Sequence, residues 1–134
     1  MTCLDTSFVI DYWRGEPHAA TVIAEFGDNE PVWVPAIALF ELYIGALLSD
    51  APAETVESVA SDLSWADPLP FGEGPAREAA RIDAALTERG EQINLADVLI
   101  AGTARDAGMR LITADAHFER VPDLDVRLVT PNAQ

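Results

Sequence analysis

The sequence predicts an α/β domain, a three-layer α/β/α arrangement with a short central parallel sheet and helices on both faces. Two observations carry that expectation. Short apolar runs alternate along the chain with longer segments whose apolar residues recur at helical spacing, the pattern of a parallel sheet covered on both faces. No internal repeat, low-complexity tract or long linker interrupts the alternation. At 134 residues the chain therefore fits one domain, 1–134, large enough to bury a core without disulfide or metal staples.

The elements follow in order. Residues 2–5 read as a short strand, and the Thr6-Ser7 hydroxyls can cap a helix running to about Arg14. Pro17 opens a second helix, with Ala20, Ile23 and Ala24 on its apolar face, ending near Gly27. Residues 32–34 form a buried strand, and Pro35 begins a long helix to about Leu48. An amphipathic helix over 53–63 precedes an extended stretch at 67–71. In 73–89, Ala76, Ala79, Ala80, Ile82 and Leu86 keep helical spacing up to Gly90. Asn94 caps a helix to about Ala107, which Gly108 terminates. Strands at 110–113 and 126–129 flank a helical turn at 116–120.

Composition narrows the setting. Hydrophobic residues make up 49% of the chain, too many for a disordered protein. Cys3 is the only cysteine, which excludes an internal disulfide and a Cys-based zinc site and reads as a small buried hydrophobe. No basic region precedes an apolar stretch, so no secretory signal is expected; Pro31, Pro35 and Glu41 break the one apolar run of nearly membrane-spanning length. A soluble, cytoplasmic protein is the expectation.

The charge is unusual: 23 acidic residues stand against 8 basic ones, a formal net charge of −15, and every basic residue is arginine. Such self-repulsion weakens an ordinary small domain and repels nucleic acid. In molar salt the Debye length falls to about 3 Å and most of that repulsion disappears. A lysine-free acidic surface therefore points to a salt-rich cytoplasm, as in an extreme halophile, and the acidity does not exclude a nuclease.

Four acids depart from this solvated coat. Asp5 is the only charge in 1–10, Glu41 the only one in 31–48 and Asp97 the only one in 93–104, while the strand Leu111-Ile112-Thr113-Ala114 runs straight into Asp115. Buried carboxylates need a partner, a proton or a cation; there is no lysine, and no arginine lies inside the first three segments. Each acid also has a plainer explanation. Asp5 can serve a turn or cap before Thr6, Asp97 occupies the reciprocal position of a capping box begun by Asn94, and Asp115 can cap the turn at Ala116. Glu41 has no such role, since it falls inside its helix on a face with Ile37, Ile44, Gly45 and Leu48. In folds of this class ligands gather at the carboxyl ends of the strands. Asp5, Glu41, Asp97 and Asp115 together suit a hard divalent cation, Mg2+ or its close substitute Mn2+, which can acidify a water and stabilise charge on a phosphodiester. The hydroxyls of Thr6 and Thr113 lie beside two of these acids and are candidate supports for them.

With these residues in place, the chain resembles the PIN-domain family, in particular the VapC-type toxins of toxin–antitoxin pairs. The resemblance runs through Leu4-Asp5-Thr6-Ser7-Phe8-Val9-Ile10-Asp11, Phe40-Glu41-Leu42-Tyr43-Ile44-Gly45, Asn94-Leu95-Ala96-Asp97-Val98-Leu99-Ile100-Ala101 and Leu111-Ile112-Thr113-Ala114-Asp115-Ala116-His117-Phe118, in that order and over essentially the whole chain. It implies a PIN-like fold and an endoribonuclease whose magnesium site is Asp5, Glu41, Asp97 and Asp115. It also implies RNA as substrate, a homodimer, and inhibition by a cognate VapB-like antitoxin whose tail enters the active site. Extreme acidity, a net charge of −15, departs from the family pattern.

Other chemistry-bearing groups read more plainly. His18 and His117 are too few and too far apart for a metal or nucleophile site. Trp13, Trp33 and Trp65 fit core or dimer packing better than base stacking, and Arg77 and Arg81 suit surface ion pairs as well as phosphate contact. Two other functions remain to be weighed: a receiver- or phosphatase-like magnesium domain, which normally needs the lysine this chain lacks, and a PIN scaffold that binds partners without catalysis.

Overall fold

The computed structural model describes residues 1–131. Its elements, in order, are β1 (Thr2–Leu4), α1 (Thr6–Trp13), α2 (Pro17–Ala24), β2 (Val32–Pro35), α3 (Ala36–Leu47), α4 (Pro52–Asp62), β3 (Asp67–Leu69), α5 (Glu73–Glu88), α6 (Leu95–Ala107), β4 (Arg110–Thr113), a 3-10 turn (Ala116–Arg120) and β5 (Val126–Leu128). The expected α/β architecture is present, with element ends displaced by one to three residues. The sheet is entirely parallel in the order β3-β2-β1-β4-β5.

The chain steps from β1 outward to β3, then returns across the sheet to β4 on the other side of β1. The right-handed crossover rule, applied to this strand order, assigns α1 to α4 to one face of the sheet and α5 and α6 to the other. The central strands bury both faces, with Cys3, Leu4, Val32, Val34, Leu111 and Ile112 all in the core. Pro68 lies on edge strand β3, where a missing backbone donor costs no ladder bond.

The caps resolve two sequence expectations in opposite directions. Asn94 caps α6, its side chain accepting from the Ala96 amide at 2.9 Å, and Gly108 closes the helix at φ 66°. At α1, however, the Thr6-Ser7 cap does not form. Asp5 is the N-cap residue, no side chain caps the helix, and both hydroxyls are committed elsewhere. A second correction concerns α3. The face bearing Glu41 is not core throughout, because Ile44 is 39% and Leu48 80% exposed.

Candidate metal centre

The switch in strand order falls between β1 and β4, which pair with Leu4 opposite Ile112. Adjacent parallel strands whose crossovers leave in opposite directions open a crevice at their carboxyl ends. Asp5 directly follows β1 there, and Thr113 ends β4 two residues before Asp115. Helices α3 and α6 pack against each other and bring Glu41 and Asp97 to the same crevice. Asp97 feels the negative charge of Asp5, Glu41 and Asp115, so the four acids singled out in the sequence lie near one another, from four separate segments.

Asp5 is the most enclosed of the four acids. It is 2% exposed and is the only buried residue among the 23 acids. Burial pushes its carboxyl above the usual range, against the opposing pull of hydrogen bonds from Ser7 (2.6 Å) and Thr113 (2.8 Å) to Oδ2. The backbone amides of Thr6 and Ser7 add smaller favourable contributions to the charged form without capping the helix.

Asp97 stands in the first turn of α6, where the helix dipole favours an anion. Even so, its carboxyl is pushed up to about 7, first by desolvation and then by the negative charges of Asp5, Asp115 and Glu41. The reciprocal capping-box bond is not formed, and no hydrogen bond offsets these effects. Glu41 is half-buried, and Thr6 Oγ1 donates to its Oε1 at 2.7 Å. Asp115 does cap the following turn, its Oδ1 accepting from the His117 amide at 2.9 Å. The plain and the functional readings of Asp115 therefore coexist.

Among the described residues no arginine pairs with any of the four acids. Arg77 pairs with Glu73, Arg81 and Arg105 with Glu78, Arg110 with Asp125 and Arg127 with Glu25. Arg89 and Arg120 donate to the backbone carbonyls of Arg120 and Gln92. Among the described residues no group of three or more His, Cys, Asp or Glu side chains is placed to hold a metal ion as the side chains stand. The centre is thus an open acidic cluster without an internal counter-charge. That arrangement fits a hard cation that keeps several of its waters better than a closed structural cage.

Two residues were missed by sequence reasoning. Ser7, read there as a cap, contacts Asp5 and the β4 end. His117, set aside there as a metal or nucleophile residue, is mostly exposed yet has Nδ1 3.3 Å from Asp115 Oδ1. Its position two residues after Asp115 was the available signal. Trp13 and Trp33 lie partly buried against the core as expected of packing residues, whereas Trp65 is 44% exposed and meets Tyr12 edge-on.

Comparison with known proteins gives the same picture. The PIN domain family matches residues 2–124. The chain is 32% identical over 126 residues to ribonuclease VapC19 of Mycobacterium tuberculosis, covering 92% of this chain and 97% of that protein. It is 30% identical over 123 residues to the tRNA(fMet)-specific endonuclease VapC of Shigella flexneri, covering 90% and 92%. Among solved structures, DNA-bound VapBC from Salmonella typhimurium superposes with a TM-score of 0.83 at 25% identity, covering 94% of this chain and 96% of that one.

Proposed function

The chain belongs to the PIN-domain family, and from that premise we propose that it is a metal-dependent endoribonuclease, the toxin of a VapBC-type toxin–antitoxin pair, active as one PIN-like domain over 1–134. The observation that carries the reading is Asp97. Its carboxyl is pushed up to about 7, first by desolvation and then by the charges of three acids from distant segments, and among the described residues no arginine pairs with it. Such a cluster is costly for folding alone and useful once a divalent cation neutralises it. The named ribonuclease and endonuclease relatives support the chemistry, and the VapBC neighbour supports the pairing with a VapB-like antitoxin.

Asp5, Asp97 and Asp115 are the residues that would hold Mg2+, or Mn2+ in its place, with Glu41 as a further ligand or as the group that orients the attacking water. When bound, the cation would acidify a water and stabilise charge on the phosphodiester. The rest of the work falls to the chain itself. Ser7 and Thr113 fix the Asp5 carboxylate, and Thr6 fixes Glu41. Asp115 is oriented through the turn it caps. Hydrolysis joins the water oxygen to phosphorus and breaks one P–O ester bond. Glu41, tethered but half-exposed, would accept the proton of that water, and solvent would supply a proton to the departing ester oxygen.

The acidic coat supports a salt-rich cytoplasm as the working environment, because all but one of the 23 acids reach solvent to some degree. Among the described residues no helix is long and apolar enough to cross a membrane. A homodimer is supported by a stripe on α3, where Phe40, Ile44, Leu47 and Leu48 are exposed at helical spacing. In a chain of charge −15, a second copy of this uncharged stripe is the partner it suits best.

The test is RNA cleavage in molar KCl, with and without Mg2+, by the wild type and Asp97→Asn. Metal-dependent cleavage that Asp97→Asn loses is the expected result. A wild type that cleaves no cellular RNA under any metal condition overturns the enzymatic reading and leaves a partner-binding scaffold.

A further inference from the structure

The Ser7 side chain connects parts of the centre that the sequence holds far apart. Ser7 Oγ donates to Asp5 Oδ2 at 2.6 Å and accepts from the Ala114 amide at 3.1 Å, 107 residues away. Thr113 Oγ1 does the same from the other strand, donating to Asp5 Oδ2 at 2.8 Å and accepting from the Asp115 amide at 3.0 Å. The two hydroxyl oxygens lie 3.2 Å apart. Each hydroxyl has one proton. With Asp5 ionised, both protons go to the carboxylate, and the two backbone amides fill the acceptor side of each oxygen. The result is a symmetrical pair of relays, amide to hydroxyl to carboxylate, converging on one oxygen.

This pair fixes two acids at once. Asp5 is held by the donated protons, and the backbone leading to Asp115 hangs from the same two oxygens. Thr113 belongs to that strand anyway, so Ser7 is the member that ties α1 to it. We infer that Ser7 is a positioning residue that sets the relation between Asp5 and Asp115 and thereby the affinity of the centre for its divalent cation. The inference rests on the metal-dependent reading above. A merely structural serine at a helix start would support folding and leave cation affinity unchanged.

The experiment compares the full chain carrying Ser7→Ala, Ser7→Thr, Ser7→Val or Thr113→Ala, and the double variant Ser7→Ala/Thr113→Ala, in molar KCl. Mn2+ affinity is read by electron paramagnetic resonance, alongside the thermal midpoint in EDTA. Loss of an outer hydrogen-bond partner typically weakens metal affinity by about 10–100-fold. That loss is expected for Ser7→Ala, together with a double-variant loss smaller than the product of the two single losses. Thr and Val share a shape and differ in the hydroxyl, so Ser7→Thr should retain affinity that Ser7→Val loses, even where Ser7→Ala folds poorly. Affinities of Ser7→Thr and Ser7→Val within twofold of each other overturn the inference. A wild type that binds no Mn2+ overturns instead the metal-dependent reading on which it rests.

Discussion

Thr6 and Glu41 are joined across 35 residues by a 2.7 Å hydrogen bond, the hydroxyl donating to Oε1. It links the first turn of α1 to the middle of α3, and so links the residue after Asp5 to the acid least explained by local structure. Thr6→Val keeps the side-chain shape and removes the donor. Glu41 would then rotate freely toward solvent. Cleavage activity should fall about 10–100-fold, while the thermal midpoint moves by the equivalent of about 1 kcal/mol. Parallel RNA-cleavage and melting measurements separate the two effects, and unchanged activity would remove Glu41 tethering from the mechanism.

Asp97 gives the centre a pH signature. Its native carboxyl sits at about 7 against an ordinary 3.8, so the metal-free native state binds this proton more tightly than the unfolded chain. The resulting stabilisation is complete below pH 3.8 and is lost as pH rises through 7. Because Asp97 is partly exposed, screening should hold the effect to about 1 kcal/mol. In EDTA, Asp97→Asn should therefore melt above the wild type at pH 8 and approach it at pH 5. Mg2+ should raise the wild-type midpoint and leave the variant almost unmoved. A midpoint difference independent of pH would count against the acidic cluster.

The sequence made the strand–helix alternation and the four acids legible because both leave one-dimensional marks. A lone charge in an apolar run is such a mark, and Asp97 feels the charge of the other three acids. Hydroxyl partners leave none. Thr6-Ser7 before a helical run looks like a cap, yet the structure spends Thr6 on Glu41 and Ser7 on Asp5 and Ala114. Those partners lie 35 or 107 residues away or behind the helix start, where only the fold can bring them. The exposure of Ile44 and Leu48 was hidden for a related reason, since apolar spacing cannot distinguish a core from an interface.

The α3 stripe makes its own prediction. Leu47→Asp places a charge at a residue that is 55% exposed and lies outside the acidic centre. Light scattering in molar KCl should show a dimer for the wild type and half that mass for the variant, with similar melting of each protomer. A wild type that is monomeric at every concentration would leave the stripe to the antitoxin.

Salt should govern folding as strongly as any single residue. With a net charge of −15 and Asp5 the only acid buried, repulsion acts across the surface and through solvent. The Debye length shortens from about 10 Å at 0.1 M to about 3 Å at 1 M, so neighbouring carboxylates cease to interact over that range. The thermal midpoint in EDTA should rise steeply between 0.1 M and 1 M KCl and more slowly beyond, and cleavage should follow it. The opposite expectation holds for a nuclease that gathers RNA with a basic surface, whose binding weakens as salt rises. Seven of the eight basic side chains here are already committed to Glu73, Glu78, Asp125, Glu25 or backbone carbonyls, leaving Arg14 without a partner among the described residues. Activity that peaks at low salt, on protein shown to be folded there, would refute the assignment of this surface to a saline interior.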